Sequence, residues 1–159
     1  MLHGFCLGGA MVLHATLQAK KEGKKIADAL GLCCIFPKFE NLFERAFLVE
    51  DRWYYRFILN SGVGESICDY MMNGSLFDIQ PIEFIKELDL PCWFDHFSGD
   101  PFSQMFGGIK VFNNKTKGLK YFVQSDVGRH VRIHGKAPFQ YSNAYNDFLH
   151  KSNLLKPGV

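Results

Sequence analysis

The spacing of apolar residues changes along the chain, and the changes divide it into elements. From about Ala10 to Glu22 the pattern predicts a helix, with Lys20 and Lys21 at its C-terminal end, where cations suit the helix dipole, and Gly23 to stop it. A second helix is expected near Lys25–Ile35, closed before Pro37. Phe39, Leu42, Phe43, Ala46 and Phe47 recur at helical spacing, so the segment 38–48 reads as a helix with one apolar face. Arg52–Asn60 is rich in aromatic and β-forming residues and reads as a strand. Residues 65–73 fit a short helix ending at Gly74, and Pro81–Leu88 another with Pro81 in its first turn. Pro91–Gly108 is aromatic without a period. After it, Ile109–Asn113, Leu119–Gln124 and Arg129–His134 alternate with turn clusters and read as a three-stranded meander, followed by a short helix from Ser142. Helices first and antiparallel strands later predict an α+β fold: N-terminal helices packed on a mainly antiparallel sheet of about four strands, with residues 1–159 as a single domain.

Composition supports a packed core. The chain has 159 residues, 47% of them hydrophobic, and its 16 Phe make a Phe-built interior the expectation. Five cysteines, Cys6, Cys33, Cys34, Cys68 and Cys92, are odd in number and lack a C-x-x-C pair, which disfavours a disulfide framework or a four-cysteine zinc site. Reduced thiols point to a reducing compartment, and the protein is expected to be cytoplasmic. Residues 4–15 are apolar, but no cation precedes them, so they are not read as a secretory leader. No apolar run is long enough for a membrane span.

Charge is unevenly spread. Residues 65–100 hold one cation against eight acids, net −7, whereas residues 101–159 hold nine cations against two acids, net +7. Such an electrical asymmetry can orient partners or anionic ligands.

Several groupings could carry chemistry. Gly4-Phe5-Cys6-Leu7-Gly8-Gly9 resembles the nucleophile elbow, G-x-C-x-G-G, of the dienelactone hydrolases within the α/β-hydrolase fold. The resemblance covers about ten residues and implies a strand–turn–helix with Cys6 as nucleophile. Only Met1, Leu2 and His3 precede the motif, so the expectation is that its upstream strand is missing and that Cys6 is not a nucleophile. His130 and His134 have H-x-x-x-H spacing; on a strand they stand roughly 13 Å apart, too far to share a metal. Period-two reading of the meander puts Lys110, Phe112, Lys120, Phe122, Gln124, His130, Arg132 and His134 on one face, where cations attract phosphates and rings can stack. KGLKYFVQ at 117–124 partly matches an RNA-recognition strand, but departs from it at Leu119 and Lys120 and in element order. The segment 91–102 gathers Trp93, Phe94, Phe97 and Phe102 with Cys92, Asp95, His96 and Asp100, a pocket-like mixture in which Cys92 or Cys68 could pair with His96. KKEGKK at 20–25 reads as a solvated helix end.

The functional expectation is a non-catalytic binding or interaction module. Its site is the basic, aromatic face of Lys110, Phe112, Lys120, Phe122, His130, Arg132 and His134, or a pocket at Trp93 and His96. It would bind an anionic ligand or partner, nucleic acid included, without metal or cofactor. The alternatives are a protein–protein accessory, dimeric or inhibitor-like, and a cysteine-dependent hydrolase using Cys6.

Overall fold

The computed structural model describes residues 1–41, 66, 78–103, 105–127, 129–130 and 138–155. Four strands form its sheet: β1 (Leu2–Phe5), β2 (Leu30–Cys33), β3 (Cys92–Phe97) and β4 (Lys120–Ser125). They lie in sequence order, and every neighbouring pair is parallel. Helix α1 (Leu7–Lys21) joins β1 to β2. Helix α2 (Pro81–Phe84), continued by a 3₁₀ turn over Ile85–Glu87, precedes β3. Helix α3 (Met105–Asn114) joins β3 to β4, and α4 (Pro138–Lys151) follows β4.

The parallel sheet overturns the expected α+β arrangement with its antiparallel meander. Parallel strands need crossover helices, and both faces of their sheet are then covered. β2 is buried at all four positions, and β3 at Cys92 through His96. Fully covered strands read as continuous apolar runs without a two-residue period. That is why LGLC resembles part of a helix over Lys25–Ile35, and CWFDHF an irregular loop. Ile109–Asn113, expected as a strand, instead belongs to α3, the crossover that a β3–β4 parallel pair requires. Lys120–Ser125 is a strand, close to the expected bounds. Arg129 and His130 lie in no strand, and 131–137 fall outside the described residues. So do the expected strand 52–60, nearly all of the expected helix 65–73, and the helix 38–48 beyond residues 39–41, which are helical.

Register divides the side chains between the two faces. Leu30 and Leu32 of β2, Cys92 and Phe94 of β3, and Phe122 of β4 join Leu13 and Leu17 of α1 and Val111 and Phe112 of α3 in one apolar cluster. On the opposite face Trp93, Tyr121 and Val123 pack under Tyr141, Tyr145 and Phe148 of α4. The C-terminal ends of all four strands point the same way, and the connections leaving them share one edge of the sheet. In open parallel sheets that edge is where ligands bind.

Candidate active site

The turn from β1 into α1 has the geometry of an elbow. Cys6 occupies it with φ 51° and ψ −118°, a region that non-glycine residues rarely adopt and that costs of order 1–3 kcal/mol. The flanking glycines explain how strand and helix approach so closely. A Cβ on Gly4 would stand 2.5 Å from the Gly8 carbonyl oxygen, and one on Gly9 would stand 3.1 Å from the Gly4 oxygen. The Cys6 N–H donates to the Cys33 carbonyl at 2.8 Å, which ties the elbow to β2. β1 therefore supplies the strand that the sequence was expected to lack. Four residues suffice because β2 pairs with all of them.

Two loops bring the remaining groups. Beyond β3, the side chain of Asp100 is fully shielded from solvent. Its Oδ1 accepts the N–H groups of Phe102 at 2.9 Å and Ser103 at 3.0 Å, which fixes the carboxylate in its turn. Its Oδ2 meets Nδ1 of His130, beyond β4, at 2.6 Å. The carboxylate requires the proton on Nδ1 for this bond. The imidazole also hydrogen-bonds the Cys6 and Cys34 side chains. Cys34 follows β2 directly and, like Cys6, has φ 51°. Thus Cys6, Cys34, Asp100 and His130 come from just past the ends of β1, β2, β3 and β4 respectively.

Electrostatics favour an ion pair. Hydrogen bonds to Asp100 first, then to Cys34 and Cys6, push the His130 imidazolium up to about 12 against the opposing effect of burial. For Asp100 burial is the largest influence and opposes ionisation, but hydrogen bonds from His130 and the Ser103 and Phe102 amides outweigh it and hold the carboxyl below its ordinary 3.8. A raised histidine pKa stabilises the fold most below the ordinary 6.5, and that contribution fades as pH climbs toward 12. A lowered aspartate pKa contributes above 3.8 and is lost as pH falls through its folded value. The stability cost of Asp100→Asn is therefore expected to be greatest between about pH 4 and pH 6.5 and to shrink at higher pH. Urea midpoints of both proteins at about pH 6 and pH 9.5 check this; a penalty that grows with pH would contradict the ion pair.

Beside His130 lies a cleft of about 380 Å³ lined by Phe97, Pro101, Phe102, Arg129 and His130. A cavity of about 160 Å³ lies where the C-terminal end of α1 meets Leu88–Leu90; it contains neither a thiol nor an imidazole. Among the described residues, Cys34, Asp100 and His130 hold donor atoms within 4.8 Å of one another and are the group that could take a metal. The imidazole and carboxylate already spend their facing atoms on each other.

Other residues singled out from the sequence are dispersed. Lys110 and Phe112 stand on α3, whereas Lys120 and Phe122 belong to β4. Phe112 and Phe122 meet edge to face at 5.3 Å within the core, with the Lys120 ammonium 4.4 Å above the Phe112 ring. Trp93 and His96 are buried in β3, and His96 Nε2 donates to the Ser103 carbonyl. Cys92 is buried and its thiol is pushed up to about 11 by burial, against the pull of Lys115. Among the described residues of the expected face, His130 reaches the elbow. Arg132, His134 and Cys68 fall outside the described residues. In the sequence Asp100 stands out only as part of an aromatic loop. The signal that could have singled it out is chain order: nucleophile, then acid, then histidine, each just past a strand, is the order of the α/β hydrolases.

Solved structures agree on the architecture. An acylaminoacyl peptidase from Pyrococcus horikoshii superposes with a TM-score of 0.64 at 14% identity, over 99% of this chain and 25% of its own. An esterase from Pyrococcus furiosus gives 0.65 at 13% identity, over 94% of this chain and 52% of the other. The fold is that of the α/β hydrolases. A protein described as a non-heme bromoperoxidase from Mycobacterium tuberculosis gives 0.57 at 15% identity, over 94% of this chain and 66% of its own. The chain thus spans about a quarter of the peptidase and half of the esterase. No protein-family model and no curated protein sequence matches it. The expected non-catalytic binding module does not survive. It rested on an antiparallel face that is not there, and the solved structures sharing this α/β-hydrolase fold are described as a peptidase, an esterase and a bromoperoxidase. Among the described residues no helix is long and apolar enough to cross a membrane.

Proposed function

We propose that this chain carries the catalytic residues of a cysteine-dependent hydrolase acting on esters or lactones. The observation that carries the proposal is one imidazole, His130, bonded on one side to the buried Asp100 and on the other to the thiol of the elbow residue Cys6. A nucleophile, a base within reach of it and a group orienting that base form the arrangement that activates a weak nucleophile. The proton that Cys6 gives up lies on His130, held there as imidazolium by Asp100, as Cys6 sulfur attacks the substrate carbonyl carbon. The Leu7 N–H, the first of α1 and without a partner in its own helix, faces the oxyanion that forms. His130 then returns its proton to the leaving alkoxide, and a thioester remains on Cys6. Water, deprotonated by His130, attacks the thioester and releases the acid. Asp100 keeps the ring in the required tautomer and steadies the imidazolium without being protonated itself. The apolar rings of Phe97 and Phe102 support the acyl part, and Arg129 at the cleft offers a charge for a substrate carboxylate. The reduced thiols fit a cytoplasmic setting, which belongs to the same proposal.

Acylation tests it. Exposed briefly to an activated acetate ester at neutral pH, the chain is expected to gain one acetyl group, located on Cys6 by peptide mapping. A matching burst of the leaving alcohol should appear, and Cys6→Ala should lack both. An acetyl group lodged on Cys33, Cys34 or Cys92 instead, or no acylation, would end this reading.

A further inference from the structure

Hydrolysis through Cys6 uses one thiol of the site, and the second, Cys34, has no part in it. Cys6 and Cys34 are the residues immediately beyond the paired ends of β1 and β2, since Phe5 is opposite Cys33 in register. The Cys6 N–H to Cys33 carbonyl bond of 2.8 Å continues that pairing past the strand ends. Neighbouring strands lie about 4.8 Å apart, and a disulfide joins Cα atoms roughly 4.4–6.8 Å apart. Backbone spacing at this point therefore suits a bridge. Both residues have φ 51°, and both side chains hydrogen-bond the same imidazole. Cys6 is partly exposed, whereas Cys34 is fully buried, so an oxidant arriving from solvent meets Cys6 first.

We propose that Cys6 and Cys34 form a reversible disulfide when a hydroperoxide reaches the site, protecting the Cys6 thiol from irreversible oxidation and switching its nucleophilicity off. The proposal uses the same Cys6 thiol as the hydrolase reading. In the first step Cys6 sulfur, its proton held on the His130 imidazolium, attacks the distal peroxide oxygen; an S–O bond forms, the O–O bond breaks, and the departing oxygen takes that proton from His130 and leaves as water or an alcohol. Cys6 is then a sulfenic acid, oxidised by two electrons that the peroxide has accepted. In the second step Cys34 yields its proton to His130 and attacks Cys6 sulfur. The S–S bond forms, the S–O bond breaks, and hydroxide leaves as water with the proton from His130. With hydrogen peroxide the sum is two thiols and one peroxide giving one disulfide and two waters. Cys33 assists from behind: its thiol donates to the Cys34 sulfur at 3.8 Å, which supports negative charge on Cys34 as it attacks. Cys33 itself holds its proton, because that hydrogen bond and then burial push its thiol far up.

The test treats the chain with a small excess of hydrogen peroxide, blocks remaining thiols in denaturant, and maps tryptic peptides by mass. The expected product joins the peptide 1–20 to the peptide 26–38, with fragment ions placing the link on Cys34 and not Cys33. Dithiothreitol should return both thiols fully. Cys34→Ser should give no link and should carry Cys6 on to sulfinic acid, which dithiothreitol does not reverse. Cys33→Ser should keep the link. A wild-type link through Cys33, or Cys6 sulfinic acid with no link, overturns the proposal without recourse to either variant. The readout is mass, independent of turnover. If the link forms while Cys6 fails to acylate, the hydrolase reading falls and the switch stands; acylation without the link has the opposite meaning.

Discussion

Cys6→Ala is expected to lower the rate of ester hydrolysis by at least about a thousandfold, because covalent catalysis loses its nucleophile and only binding and oxyanion stabilisation remain. The substitution removes one partly exposed sulfur and leaves the elbow glycines in place, so the thermal midpoint should move little beside the loss of rate. His130→Ala should cost about as much. The informative protein is the double variant. Groups that act as one unit are strongly non-additive, and the double should be scarcely slower than either single change. Asp100→Asn should cost less than either, since the imidazole keeps its contact with Cys6 while losing the group that fixes its tautomer. Steady-state kcat/KM on a chromogenic ester would decide the matter. Single losses that multiply in the double variant would mean that Cys6 and His130 act separately, and a Cys6→Ala protein with unchanged turnover would remove the thiol from the reaction.

Trp93→Ala is expected to destabilise the fold by roughly 3–5 kcal/mol, the range for truncating a fully buried large aromatic side chain. The indole is inaccessible to solvent. It stacks on Tyr121 at 5.5 Å with planes 9° apart and meets Tyr141 and Tyr145 edge-on at 5.4 and 5.3 Å. Its removal would leave a cavity between the sheet and α4. It would also take a donor from Asp95, whose Oδ2 accepts the indole N–H at 2.8 Å. Asp95 is itself buried, and burial is the main reason its carboxyl titrates above the ordinary range. Trp93→Phe separates the two effects, keeping most of the apolar contact while losing the hydrogen bond. It should cost about 1–3 kcal/mol. Chemical denaturation of the three proteins gives both numbers. Equal losses for Ala and Phe would assign the whole effect to the Asp95 bond, and no loss for Ala would mean that Trp93 is not part of the core.

What the sequence determined by itself is local. The motif around Cys6 was legible because an elbow is made by consecutive residues: glycines at positions 4 and 9 allow the close approach, and the positive φ falls on the residue between strand and helix. Helices α1 and α4 were legible for the same reason, since apolar spacing acts over one or two turns, although α4 begins at Pro138 and holds Ser142, the expected cap, within it. β4 announced itself by its β-forming residues. Strands β2 and β3 did not. Covered on both faces, they carry no alternation, and a buried strand then looks like a stretch of helix or loop. Parallel pairing was likewise out of reach, because the residues paired with Leu32 include Phe94, 62 positions further on. The tertiary structure alone decided which candidate groups meet. Cys6, Cys34, Asp100 and His130 are scattered over 125 positions and share no local pattern, yet each follows a strand of one parallel sheet. Parallel strands in sequence order put their C-terminal ends on one edge, so the sheet converts four unrelated places in the chain into a single site. The same topology broke up the expected basic face, because making residues 109–113 part of a crossover helix took Lys110 and Phe112 off the sheet.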